Sequence, residues 1–100
     1  LMPSYRVTKK AQSDIRDIGL YTQQQWGKEQ RRAYLQGMEA RFERLADSPL
    51  LAAERGEFDP PVRIHPYEKH LIVYTAQEDG ILIVRVLHES MDVPAQLSSG

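Results

Sequence analysis

The seven residues 81–87, ILIVRVL, restrict the fold of this chain more than any other stretch. Six of them are apolar, so the run lacks the alternation of a strand that has one face in water. A strand of this kind is expected at the centre of a sheet or covered on both faces. Asp79-Gly80 precedes it and is a strong hairpin signal. The chain therefore needs a sheet around this run and a layer that covers the sheet.

Two further strand patterns lie just before the run. VRIHPY, 62–67, alternates in polarity, and HLIVYTA, 70–76, is rich in β-branched and aromatic residues. The connections between the three patterns are short, which predicts a three-stranded antiparallel meander. SYRV, 4–7, is also β-prone and predicts a short strand added at one edge of the sheet.

The first half of the chain has helical periodicity. Apolar positions recur every three or four residues from Lys10 to Trp26 and again from Glu29 to Asp47. Thr8 is a suitable N-cap for the first helix, and Gly27 is a suitable C-cap because it has no Cβ. The connection at residues 27–28 is so short that the helices must fold back as an αα-hairpin. This pattern places Trp26 in the core, where it would clamp the hairpin.

Together these elements predict an α+β fold: an N-terminal strand, then an αα-hairpin packed on a three- to four-stranded antiparallel sheet. The length of 100 residues predicts a single domain over residues 1–100. The proline-rich stretch 47–61 predicts a loop with at most one short turn of helix. Met91 is expected to fold back onto the core, and the tail from Pro94 carries too little apolar content to fold alone.

Composition narrows the functional classes. The apolar fraction of 41% and the charged fraction of 27% are ordinary for a soluble globular protein. No apolar run approaches the roughly 20 residues that cross a bilayer, and no signal-peptide pattern is present, so a cytoplasmic location is expected. Cysteine is absent. The net charge through Ser48 is +3 (nine Lys/Arg, six Asp/Glu) and beyond it −4 (four against eight). No strongly basic face follows, so sequence-specific nucleic-acid binding is not expected.

Three short patterns carry a resemblance to a known family. They are WG at 26–27, R-x-x-x-x-x-x-H-x-I-x-Y beginning at Arg63, and I-x-R-V-L-H-x-x-M-D beginning at Ile83. In the order β-α-α-β-β-β, they make the chain similar to the ParE branch of the RelE/ParE toxin superfamily, over roughly Tyr5 to Leu97. The resemblance implies the toxin of a type II toxin–antitoxin module that poisons DNA gyrase by binding. It also implies a ParD-like antitoxin that wraps the toxin in a hetero-oligomer, and no cofactor or metal.

The polar residues that end the last strand raise the question of catalysis. His88, Glu89 and Ser90 are adjacent, and adjacent side chains of an extended strand point to opposite faces, which argues against a catalytic triad. Nucleophile-elbow, phosphate-loop and metal-ligand spacings are absent from the sequence. The superfamily's other branch cleaves messenger RNA on the ribosome. That alternative function would use Arg63, Arg85 and His88. This chain departs from the ribonuclease pattern, because Glu89 and Ser90 stand where that branch has its final His and Tyr.

For a gyrase poison, Arg63, Arg85 and His88 are instead the candidate target contacts, since Arg is a common interface anchor. An Arg inside an apolar strand must be compensated, so Arg85 could equally form a structural ion pair with Glu89, Asp92 or Asp14. A third possibility is an interaction domain that has kept the fold and lost its target.

The antitoxin is expected to bind through spaced apolar anchors. Leu20 and Tyr21 lie off the apolar stripe of the first helix, and Tyr34 lies on the second helix. As single residues they have ordinary structural explanations. As a set, Leu20, Tyr21 and Tyr34 are the candidate antitoxin-binding groove.

Overall fold

The computed structural model describes residues 4–98. The elements in chain order are β1 (Ser4–Val7), α1 (Lys9–Trp26), α2 (Lys28–Asp47), a 3₁₀ turn (Pro49–Leu51), β2 (Glu54–Arg55), β3 (Val62–Tyr67), β4 (His70–Gln77), β5 (Gly80–His88) and α3 (Val93–Ser98). The predicted α+β architecture is confirmed. The sheet has five strands instead of three or four, in the order β1-β5-β4-β3-β2. The additional strand, β2, lies within the predicted loop 47–61 and pairs with β3. It was not predicted because two residues are too few to show the two-residue alternation of a strand.

The sheet is mixed, because β1 runs parallel to β5 while the other neighbours are antiparallel. A parallel pair needs a long crossover connection, and the hairpin of α1 and α2 is part of that crossover. Gly80 lies where the two strands meet, with a φ of 153°. A Cβ at this position would overlap the carbonyl group of Ser4. Gly80 therefore allows β1 to approach as well as ending the hairpin turn.

The helical hairpin covers one face of the sheet and forms the main core. Its largest fully buried side chains are Tyr74, Met38, Leu45, Ile72, Ile81 and Ile83. The predicted caps hold α1 at both ends: Thr8 Oγ1 accepts the Ala11 N–H at 3.1 Å, and Gly27 has a φ of 93°. The ends of α1 and the main core thus agree with the periodicities in the sequence.

A smaller apolar cluster lies on the opposite, outer face of the sheet. It consists of Val62, Val73 and Leu87 with Phe58, Ile64, Val84, Val93 and Leu97 packed against them. Residues 93–98 form α3, so this part of the tail is ordered by packing on the outer cluster. Val93 and Leu97 are four residues apart, so one face of this short helix packs on the outer cluster. β5 thus packs on the main core with one face and on the outer cluster with the other, which was one of the two alternatives expected from its apolar sequence.

β5 contains a β-bulge that explains its unbroken apolar sequence. Val73 pairs with Arg85 and Tyr74 pairs with Ile83, so Val84 is an extra residue on the strand. Ile83 and Val86, three residues apart, consequently both face the helices. The two-residue alternation cannot be read through such an insertion.

Two predictions about apolar residues are wrong. Trp26 is 72% exposed, because residues 24–30 are all exposed and the hairpin turn stands clear of the sheet. The buried stripe of α1 ends at Thr22. Met91 is 46% exposed and lies in the exposed turn at residues 89–92.

Candidate functional site

Arg85 lies at the bulge of β5 and pairs with Asp14 of α1. Its Nε and Nη2 donate to the two carboxylate oxygens at 2.8 and 3.0 Å, and the two side chains are only 13% and 16% exposed. Arg85 Nη1 also donates to the carbonyl oxygen of Gln96 in α3 at 3.3 Å. The hydrogen bonds with Asp14 raise the pKa of Arg85 above its ordinary value. The structure thus contains the Asp14 ion pair that was one of the structural alternatives for Arg85.

Asp14 and Thr8 also continue the sheet beyond the end of β1. The Thr8 N–H donates to the Ile83 carbonyl at 3.0 Å, and the Thr8 hydroxyl donates to the Val84 carbonyl at 2.8 Å. The Val86 N–H donates to Asp14 Oδ2 at 3.0 Å. Side chains of the α1 terminus thus satisfy backbone groups that a longer β1 would have bonded. Hydrogen bonds with Thr8 and Asp14 therefore hold residues 84–86 of β5 to the start of α1, along the edge of β5 that β1 leaves unpaired.

Arg63 is half-buried on β3 and serves the segment that follows α2. Its Nη1 donates to the Ala52 carbonyl at 2.6 Å. The Ala52 N–H donates to the Tyr74 hydroxyl at 3.3 Å, and that hydroxyl donates to the Pro49 carbonyl at 2.8 Å. Arg63 and Tyr74 are also paired across the strands. These bonds explain Arg63 as a support for the 3₁₀ turn.

His88 belongs to a polar junction at the end of the sheet. We call Tyr34, His70, His88 and Ser90 the histidine junction. The two imidazole rings pack edge to face with centroids 5.3 Å apart, and the Tyr34 hydroxyl lies 2.7 Å from His70 Nδ1. His88 Nδ1 accepts the Ser90 N–H at 3.1 Å and lies 2.7 Å from the Ser90 hydroxyl oxygen. Burial, and then the neighbouring His88, lower the pKa of His70 below its ordinary value.

The His88–Ser90 contact is a feature of the turn and does not resemble a catalytic dyad. The imidazole nitrogen that a serine nucleophile would need also accepts a backbone N–H from the same residue. The structure shows no carboxylate hydrogen-bonded to the His88 ring within residues 4–98. A triad requires such a third group to orient the base.

The structure does not bring Arg63, Arg85 and His88 together. Arg63 lies in the cross-strand row of Tyr74, whereas His88 lies in the row of His70 and Tyr67. Residues 63 and 67 are separated by four strand positions, about 13 Å. Arg85 is opposite Val73 of the outer cluster, while Arg63 is paired with the core residue Tyr74. A single phosphodiester could not contact all three side chains in this arrangement.

Of the three predicted antitoxin anchors, Tyr34 lies on a different surface from Leu20 and Tyr21. Leu20 and Tyr21 are 49% and 62% exposed on α1. Tyr34 is half-buried and packs against Tyr67, with ring centroids 5.1 Å apart. Its neighbour Leu35 faces α1 instead, since a Cβ on Gly19 would lie 3.2 Å from Leu35 Cδ1. Adjacent helical residues point about 100° apart, so Tyr34 is on the flank of α2 turned away from α1.

Sequence reasoning missed an open groove on the outer face of the sheet. It has a volume of about 760 Å³ and lies between the 57–62 segment and α3. The residues that line it are Glu57, Phe58, Asp59, Pro60, Val62, Thr75, Val84, Pro94, Ala95, Leu97 and Ser98. One feature of the sequence indicated it: β5 is apolar on both faces, and a single helical hairpin can cover only one face of a sheet. A second apolar surface was therefore to be expected on the other face.

Within residues 4–98, no three His, Cys, Asp or Glu side chains are grouped as metal ligands. In the same range, no helix has the length and apolar character needed to span a membrane.

Comparison with known proteins gives a consistent result. Residues 5–93 match the family model for the ParE toxin of the type II toxin–antitoxin system parDE. Toxin ParE1 of Caulobacter vibrioides is 31% identical over 96 residues, which are 96% of this chain and 99% of that protein. Toxin ParE of Escherichia coli is 32% identical over 98 residues, covering 97% and 95% of the two chains.

A solved structure shares the fold. A chain from the chromosomal ParDE system of P. aeruginosa superposes with a TM-score of 0.73 at 22% identity, over 87% of this chain and 96% of that one. The bulged strand β5, the crossover hairpin and the residues of all three sequence patterns lie within the span matched by the family model. The chain therefore belongs to the ParE toxin family of type II toxin–antitoxin systems.

Proposed function

We propose that this ParE-family toxin poisons DNA gyrase by binding it in the cytoplasm, and that a ParD-like antitoxin neutralises the toxin in a hetero-oligomer. The observation that carries the proposal is the family match over residues 5–93, together with relatives named Toxin ParE over nearly the full length. The proposal requires neither a cofactor nor a catalytic step.

The separation of the basic residues supports binding over messenger cleavage. A ribonuclease needs a base, an acid and a cation that converge on one phosphate. Here Arg85 is paired with Asp14, Arg63 donates to Ala52, and His88 is bonded to Ser90. Arg63, Arg85 and His88 stay candidate target contacts, although each of the three side chains already has a hydrogen-bond partner within the toxin.

For the antitoxin we propose the outer-face groove. Its floor is apolar, at Phe58, Val62 and Val84. Its open rim carries the carboxylate of Asp59 and that of Glu57, which is paired with Arg55 at 2.7 Å. An amphipathic segment with apolar anchors and flanking Lys or Arg fits this combination. The occupant is therefore expected to be such a segment of the ParD-like partner.

Ala95→Arg tests the groove, because Ala95 is an exposed groove residue of α3 and a long charged side chain there would obstruct it. Affinity for the antitoxin, measured by calorimetry, should fall at least about tenfold, or 1.4 kcal/mol. Ala33→Arg is a matched control on an exposed position of α2 and should bind normally. Normal binding by Ala95→Arg, with loss in Leu20→Asp and Tyr21→Asp, would instead place the antitoxin on α1.

Induced expression separates the possible targets. A gyrase poison should produce filamentous cells with intact messenger RNA. Rapid messenger cleavage would contradict the proposal and favour the ribonuclease alternative. Normal cells with intact messenger RNA would indicate an interaction domain that has lost its target.

A further inference from the structure

Arg41 of α2 is held against β3 by neutral groups. Its Nη1 donates to His65 Nε2 at 2.9 Å and to the Pro66 carbonyl oxygen at 3.1 Å. The guanidinium also lies over the Tyr67 ring, with its central carbon 5.5 Å from the ring centroid. A guanidinium only donates hydrogen bonds, so His65 must accept through Nε2. These contacts fix the position of Arg41 and leave its charge without a counterion.

Arg85 of the same chain shows what an arginine held in this way can bind. Its Nη1 also donates to a backbone carbonyl, that of Gln96, while its Nε and Nη2 donate to the two carboxylate oxygens of Asp14. In Arg41 the corresponding Nε and Nη2 edge has no such partner, since within residues 4–98 no ion pair includes this residue. Arg41 therefore has the donor arrangement of Arg85 without the carboxylate.

Arg44 adds a second charge without a counterion. It follows Arg41 by three residues, which places both on one face of α2. Arg44 is exposed, and it forms no ion pair with the acids of the described range 4–98. Burial, and then the charges of Arg41 and Arg44, lower the pKa of His65 below its ordinary value. We call Arg41, Arg44 and His65 the basic cluster.

We propose that the basic cluster is a binding site for a carboxylate of a protein partner, which Arg41 holds through its Nε and Nη2 edge while Arg44 adds attraction. Forked pairing with a planar oxyanion is the strongest kind of hydrogen bond that arginine makes. The site is separate from the outer-face groove, because side chains of β3 alternate between the two faces. Val62 and Ile64 belong to the outer cluster, whereas His65 contacts α2.

Acids next to the cluster favour a carboxylate over a nucleic-acid backbone. A fork of donors also fits a phosphate, but a nucleic acid brings a row of closely spaced charges. Asp47 follows Arg44 by three residues on α2, and Glu68 acts on the Tyr67 hydroxyl against the charge of Arg41. Neighbouring phosphates would meet these acids, whereas one side-chain carboxylate needs to contact only the two arginines.

Titration of the intact ¹⁵N-labelled chain with hexaglutamate at low ionic strength, followed by NMR, tests the proposal. The Arg41 Nε–H resonance should shift and saturate. In Arg41→Gln the affinity should fall at least about tenfold, the usual loss for a hydrogen bond between charged groups. Arg32→Gln is the matched control, since it removes the same charge from an exposed position of α2 and should bind like the wild type.

Arg41→Lys separates the fork from the charge. An ammonium group keeps the charge but cannot make the forked contact, so this variant should also lose most of the affinity. Wild-type affinity in Arg41→Lys would refute the forked site. The binding assay contains neither gyrase nor an antitoxin, so its result is independent of the proposed function.

Three other results would overturn the proposal. One is the absence of a saturable shift at Arg41, and another is an equal affinity of Arg41→Gln and Arg32→Gln. The third is a thymidine hexanucleotide that shifts Arg41 at concentrations as low as hexaglutamate does, which would indicate a nucleic-acid site. If Arg41→Gln does not fold, the Arg41 resonance of the wild type decides between support and refutation.

Discussion

Replacing Asp14 with alanine removes one carboxylate that three donors share. Nε and Nη2 of Arg85 and the backbone N–H of Val86 all bond to it. In Asp14→Ala the guanidinium stays mostly buried, with the Gln96 carbonyl as its remaining partner. The Val86 N–H loses its partner on the open edge of β5. The perturbation therefore tests whether α1 is fastened to the bulge through this carboxylate.

The expected loss of stability is about 3 kcal/mol. Removing one partner of a buried ion pair costs about 3–5 kcal/mol. We expect the lower end, because the two side chains are 13% and 16% exposed and water can reach the vacated space. A domain of this size is stable by about 5–15 kcal/mol, so the variant should still fold. With a urea m-value of about 1.5 kcal/mol/M, the unfolding midpoint should fall by about 2 M.

Urea unfolding followed by circular dichroism measures this loss. Glu29→Ala is the control, since the Glu29–Arg32 pair is 91% and 70% exposed and should leave the midpoint unchanged. Asp14→Leu/Arg85→Met, which removes both charges, should be more stable than Asp14→Ala. The reasoning is refuted if Asp14→Ala unfolds within about 0.5 kcal/mol of the wild type at the same m-value.

Three further substitutions test single features of the fold, each by the same unfolding measurement. Gly80→Ala should destabilise by at least about 2 kcal/mol, because its φ is 153° and a Cβ would displace the Ser4 carbonyl. Gly37→Ala should fail to give the usual gain of about 1 kcal/mol for alanine in a helix, because its Cβ would collide with the Tyr67 hydroxyl. In a Tyr67→Phe background only part of the gain should return, since the ring Cζ would still lie 3.2 Å from the new Cβ. Trp26→Ala should change stability by less than about 0.5 kcal/mol, since the side chain is 72% exposed.

The sequence was sufficient for the elements whose periodicity is unbroken. The α1 stripe from Ala11 to Thr22 and the strands β3 and β4 appear close to the predicted positions. Their burial is decided locally, by which face of the element is apolar. Trp26 continues the stripe in sequence, but the sheet does not extend beneath it. The periodicity of a helix shows which of its faces is apolar, but it does not show how far along the helix the sheet extends beneath that face.

The bulge and the groove could not be predicted for a different reason. An inserted residue at Val84 shifts the faces of β5, and nothing in the local pattern marks the position. α3 is too short and polar to be stable alone, and it forms because the outer face of the sheet offers Val93 and Leu97 a surface. The groove depends on this packing.

Arg85 shows what remains ambiguous in a single sequence. A charged residue in an apolar strand indicates that a compensating partner exists, and Asp14 was among three candidates. Choosing among them required the crossing of α1 over β5, which places residues 14 and 85 together although they are 71 positions apart. The position of Tyr34 needed the same kind of information. Only the packing of α2 on the sheet shows that Tyr34 contacts Tyr67 and does not share a surface with Leu20 and Tyr21.

A DNA cleavage assay with purified gyrase and the purified toxin tests the central claim most directly. If the protein is a gyrase poison, cleaved DNA should accumulate with increasing toxin, and an equimolar ParD-like antitoxin should abolish the effect. Unchanged gyrase activity at toxin concentrations well above that of the enzyme would contradict the account.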